Sequence, residues 1–135
     1  MSFADERRAI EARFASNFSA LTVKYENQRF TPPKTEPWVA LTILPGQGRQ
    51  ASIGSAPLNR YPGVIQVDIH VPENSGTQTA RTHADTIEAI FRNVQFSAGS
   101  SGTISTRTPF ITTRGITDGW YTLTVSVNYQ RDKIF

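Results

Sequence analysis

RYPGVIQVDIHVPENSGTQTARTHADTIEAIFRN, residues Arg60 to Asn93, carries two hydrophobic periods in succession. In its first half Ile65, Val67, Ile69 and Val71 alternate with Gln66, Asp68 and His70, which predicts a strand with one buried face. In its second half Ala80, Ala84, Ile87, Phe91 and Val94 step by four and three, a narrow helical stripe that Ile90 widens. The turn between them, VPENSGTQTAR, has one Gly and no Lys, so it lacks the amide nest and the cation of a phosphate loop. Its residues have a local use instead. Ser75 or Thr77 can cap the helix, and with Ser75 at the cap Gln78 completes a capping box. Pairs Arg81/Asp85 and Glu88/Arg92 lie four residues apart on the opposite side, as on a solvated face.

Outward from this unit, Ile10, Phe14 and Phe18 recur at spacing four, with Phe3 two turns before Ile10 on the same side, and predict a helix over 4–17. Leu21, Val23 and Tyr25 predict a short strand. WVALTIL, Trp38 to Leu44, is apolar on both faces and reads as a central strand. Between these strands NQRFTPPKTEP has three prolines and reads as a surface loop over 26–37. The residues from Pro45 to Pro62 read as a second long loop, with a short strand near Gln50 to Ile53. SAGSSG, 97–102, reads as a flexible connector, and 103–112 and 120–129 as two strands around RGITDG. The order is α-β-β-(β)-β-α-β-β: one α+β domain over 1–135, in which two helices cover a twisted, mainly antiparallel mixed sheet of about five to six strands.

Composition narrows the function. A chain of 135 residues suits one core. With no cysteine, disulfides, thiolate metal sites and cysteine nucleophiles are all excluded. Lys and Arg outnumber Asp and Glu eight to five over residues 1–62 and balance six to six thereafter, which is too thin for a dense nucleic-acid face. Arg7, Arg8 and Arg13 are interleaved with Asp5, Glu6 and Glu11 and read as a solvated helix face. No apolar run reaches the ~20 residues of a membrane span. The acids in MSFADERRAIEARF replace the apolar stretch of a signal peptide, so a soluble protein that stays where it is made is expected.

GQGRQA, Gly46 to Ala51, fits the dinucleotide pattern G-x-G-x-x-G/A and has Asp68 downstream, but SIGSAPLNRYPG cannot supply the helix that would meet a pyrophosphate. Asp68 and His70 share a strand face and need a third ligand to hold a metal. His83 lies apart from them. There is no G-x-S-x-G elbow. No catalytic, metal or cofactor residues emerge. The two long loops remain, and their Arg and aromatic side chains are typical interface anchors.

YENQRFTPP, PWVALTILPG, RYPGVIQVDIHVP, GTQTARTHADTIEAIFRN and DGWYTLTVSVNYQRD, in this order over residues 25–132, resemble the phage tail terminator-like family of tailed, siphovirus-type phages. The resemblance implies a structural, non-enzymatic virion protein, assembled in the host cytoplasm and placed at the head-proximal end of the tail. It implies a homo-oligomeric ring, six-fold to match the tube, that ends tail elongation. Its partners would be the major tail tube protein and the head-completion protein, with only transient contact to genomic DNA in the lumen. A ring joins one surface to a different surface of the next copy. Loop length and residue type nominate Arg29, Phe30, Arg49, Gln50, Arg60 and Tyr61 for that contact. A head-completion or other small head-tail adaptor is the alternative, and a nucleotide-binding enzyme the remote one.

Overall fold

The computed structural model describes residues 2–26, 31, 36–73 and 77–134, with Ser2 by its backbone alone. Arg29, Phe30 and the cap candidate Ser75 lie outside these. The elements are α1 (Ser2–Asn17), β1 (Thr22–Tyr25), β2 (Trp38–Pro45), β3 (Arg49–Gln50), β4 (Leu58–Pro72), α2 (Gln78–Phe91), β5 (Gln95–Ser97), a 3-10 turn (Gly99–Ser101), β6 (Thr103–Thr106), β7 (Phe110–Thr117) and β8 (Trp120–Ile134). The α+β class with two helices on a mixed sheet is as expected; among the described residues the sheet has eight strands, six of them in one continuous order.

The sheet is organised around two strands of 15 residues each, β4 and β8, paired antiparallel from Leu58↔Ile134 to Pro72↔Trp120. The full order is β1-β2-β4-β8-β6-β5, with β3 on β4 and β7 on β8. Among the described strands only β1 and β2 pair parallel. β6 takes the Tyr129–Asp132 part of one β8 edge, and β7 the Trp120–Ser126 part.

Alternation sends odd-numbered residues of the central strands inward. Val39, Leu41, Ile43, Ile65, Val67, Ile69, Val71, Leu123, Val125 and Val127 meet Ile10, Phe14 and Phe18 of α1 and Ala80, Ala84, Ile87, Ile90 and Phe91 of α2 in one core. Each fully buried aliphatic side chain contributes about 1.5–3 kcal/mol. Arg13 links the helices: its Nε donates to the Ile90 carbonyl at 2.9 Å and its guanidinium lies over Phe96. It therefore satisfies a carbonyl in the last turn of α2 instead of lying on the solvated face expected for it. Arg7 and Arg8 do pair with Glu11 and Asp5 at that surface.

Turn chemistry sets the ends. Asp118 and Gly119, both at positive φ, form the two-residue link of the β7–β8 hairpin, where the required backbone twist favours Asp-Gly. Asn93 is left-handed just past α2, a common way to stop a helix. Thr77 stands at the N-cap but makes no side-chain cap bond. Of the two charge pairs expected along α2, Glu88 and Arg92 meet at 2.7 Å, while Arg81 and Asp85 form no ion pair among the described residues.

Two expected loops prove to be structured. The segment 45–62 carries β3 and the first five residues of β4, because the pairing with β8 runs past the core. In the stretch 97–102, Ser97 ends β5 and Gly99–Ser101 form a 3-10 turn with Ser101 buried. The expected strand 103–112 is interrupted at Arg107–Pro109, so β6 and β7 bond to different parts of β8.

Candidate assembly surface

The outer half of the β4–β8 pair stands on a buried polar cluster. Glu6 follows the spacing-four stripe of α1 back from Ile10 and so points inward, and Arg131 continues the inward alternation of β8 after Tyr129. Their side chains are almost fully buried, with Arg131 Nε donating to Glu6 at 2.9 Å. Tyr129 donates its hydroxyl to the other Glu6 oxygen at 2.7 Å. Burial, reinforced by that carboxylate, raises the Tyr129 phenol well above its ordinary range, so it remains a donor. Arg131 also donates to the Ser101 carbonyl and lies over the Tyr61 ring at 4.4 Å. Ser101 in turn donates to Asp5, which holds that carboxyl below its usual range. The cluster ties α1, the 3-10 turn, β4 and β8 together.

Gly63 makes room for it. A Cβ at this position would sit 2.5 Å from the Tyr129 ring, so Gly63→Ala is expected to lose about 1–3 kcal/mol. Chemical denaturation measures that loss.

The nominated residues separate into distinct environments on this base. Arg49 faces Arg60, and Gln50 faces Asn59, in the β3–β4 pairing. Two opposed guanidinium groups repel, and Arg60 turns instead to Asp132 in a fork of 2.9 and 3.3 Å. Asp132 raises the Arg60 pKa through that bond. Tyr61 packs edge-on to Phe3 and beneath Arg131. Arg60 and Tyr61 are thus strand residues with internal partners. Arg49 and Gln50 are exposed, and Arg49 makes no ion pair among the described residues. Beyond them the tip is closed by Ala51 N to Leu58 O, Leu58 N to Ser52 Oγ and Gln50 Nε2 to Ser52 O. Ile53 protrudes from it, 97% exposed.

At the other end, β7 bonds to β8 alone among the described strands, leaving a free edge with Phe110, Ile111 and Ile116 exposed. A groove of about 380 Å³ runs between this strand and α2. The sequence places Phe110 and Ile111 in an expected strand and Ile116 in the turn RGITDG, whereas β7 runs on to Thr117 and the turn narrows to Asp118 and Gly119.

On the sheet face away from the helices, Asp68 accepts from Thr124, whose hydroxyl also receives Arg114 Nε. His70 bonds Thr122 at 2.9 Å and stacks on Trp38 at 4.1 Å. No group of three His, Asp or Glu suited to a metal occurs among the described residues. The residues after GQGRQA lead into β4, and the next helix begins only at Gln78.

Burial lowers the pKa of His70, with Asp68 partly opposing, and lowers that of His83, which sits edge-on to Phe18. Each binds a proton more weakly folded than unfolded. Stability is therefore full above the ordinary value of 6.5 and falls as pH drops below it. Melting temperature should decline on acidification from pH 8 to 5, and His70→Gln with His83→Gln should flatten that decline.

The profile of the family described as phage tail terminator protein matches residues 7–129. The chain belongs to the phage tail terminator family. It is thus a structural component of the phage tail, in a family that is structural rather than enzymatic. A solved structure at 26% identity superposes on this terminator with a TM-score of 0.77, covering 100% of this chain and 98% of that chain. No curated protein matches it. The family match reaches from α1 to Tyr129, so it includes the central sheet, the β3 ribbon and the α2/β7 groove.

Proposed function

We propose that this tail terminator closes a homo-oligomeric ring, six-fold like the tube, on the head-proximal end of the tail. There it ends elongation and presents the joint to the head-completion protein. The family match over residues 7–129 carries this reading. The fold is compatible with it, because the exposed ribbon tip and the free β7 edge are different surfaces at opposite ends of one chain, and a ring needs two unlike surfaces. Arg49 and Gln50, exposed on the ribbon, remain the nominated contact residues. Arg60 and Tyr61, nominated with them, stand half-buried on the adjacent strand β4. DNA passing through the lumen makes only weak, salt-sensitive contacts.

Tube polymerisation tests the role. Adding the chain to elongating tail tube protein should arrest growth and shorten the length distribution in proportion to dose. Unchanged lengths at saturating chain would contradict it. Tubes that elongate normally but fail to join heads without the chain would favour the head-completion alternative.

A further inference from the structure

We propose that the groove between α2 and β7 receives the tip of the β3–β4 hairpin, centred on Ile53, from a second copy of this chain. The inference rests on the ring reading and names the two surfaces that meet. The groove has Ala84 and Val125 as buried apolar floor, Phe110 and Ile111 as exposed apolar wall, and Arg81 and Asp85 on its rim. A large apolar side chain exposed as fully as Ile53 loses nothing in the free chain when it is covered by a partner, and gains the full burial term.

Charge complements shape. No Asp or Glu occurs between Glu36 and Asp68, so the hairpin arrives with Arg49 as an exposed cation. Asp85 on the groove rim is exposed and makes no ion pair among the described residues. An Arg49–Asp85 contact across the joint gives each a partner. The free edge of β7 beside the groove offers unpaired backbone groups to the same incoming segment.

The chain cannot make this contact with itself. β7 meets β8 at Ser126, opposite Phe110, whereas the hairpin meets it at Ile134, opposite Leu58. Eight strand residues separate them, roughly 27 Å at the rise of an extended chain. Tip and groove therefore join only between copies, and repeated head to tail this contact closes into a ring.

The test uses the absence of native cysteine. Chains carrying Ile53→Cys and Ile111→Cys are mixed, assembled on tail tubes and oxidised with copper phenanthroline. The expected result is a disulfide-linked dimer formed at least ~10-fold faster than with Ile53→Cys and Thr82→Cys, because docking raises the local thiol concentration. Thr82 is exposed on α2 away from the groove. In parallel, Arg49→Asp and Asp85→Arg should each weaken ring formation, and the two together should restore it. Rings that assemble without the Ile53–Ile111 link and ignore the charge exchange overturn this inference while leaving the ring reading intact. Chains that never associate on tubes overturn both.

Discussion

Glu6→Ala is expected to destabilise the protein by about 3–5 kcal/mol, because it strands a buried guanidinium. Arg131 has no exposed surface. Without Glu6 it retains the Ser101 carbonyl and the rings of Tyr61 and Phe3, none of which carries the compensating charge. Its Nη2 already has no hydrogen-bond partner among the described residues, and Tyr129 would lose its acceptor as well. Urea denaturation, with unchanged slope, measures the loss. The double substitution Glu6→Leu with Arg131→Met should recover most of it, since an apolar pair of similar volume needs no desolvation offset. A loss below about 1 kcal/mol for Glu6→Ala would match an exposed ion pair and would show that Arg131 reaches water. The effect should extend to assembly: the cluster anchors the ribbon bearing Arg49 and Ile53, so the variant should form rings poorly even where it remains folded.

Phe14→Ala should cost about 3–5 kcal/mol through the cavity it leaves. Phe14 is fully buried, stacked on Phe18 at 5.0 Å and on Phe91 at 6.2 Å. It joins α1 to α2 over the sheet, so no single neighbour can move to fill the space. Phe14→Leu, which keeps most of the volume, should cost clearly less. A drop in melting temperature of similar size for both would argue that the two helices pack through other residues. Because Phe14 lies away from the groove and the ribbon tip, its loss should lower stability without altering the charge-exchange behaviour of Arg49 and Asp85.

These residues also mark how far the sequence could be read. Ile10, Phe14, Phe18 and the α2 stripe gave both helices correctly, because each keeps one period over several turns. The alternation from Ile65 to Val71 revealed the middle of β4. It did not reveal the first residues, since Arg60, Tyr61 and Pro62 do not look like strand; they are strand because β8 pairs with them throughout. Glu6 fell on an inward position by spacing, yet its charge made it read as surface, and Arg131 lay beyond the strand expected to end at Tyr129. What buries them is a partner 125 residues away, which local pattern cannot show. Arg49 and Gln50 are exposed as their composition implied, whereas the groove depends on β7 lying beside α2, a tertiary adjacency.

The most direct measurement is electron microscopy of tails grown with gold-labelled chain. A closed ring, six-fold by rotational averaging, is expected at one end only, the end that meets the head. Label along the tube, at both ends, or as isolated single copies would contradict it.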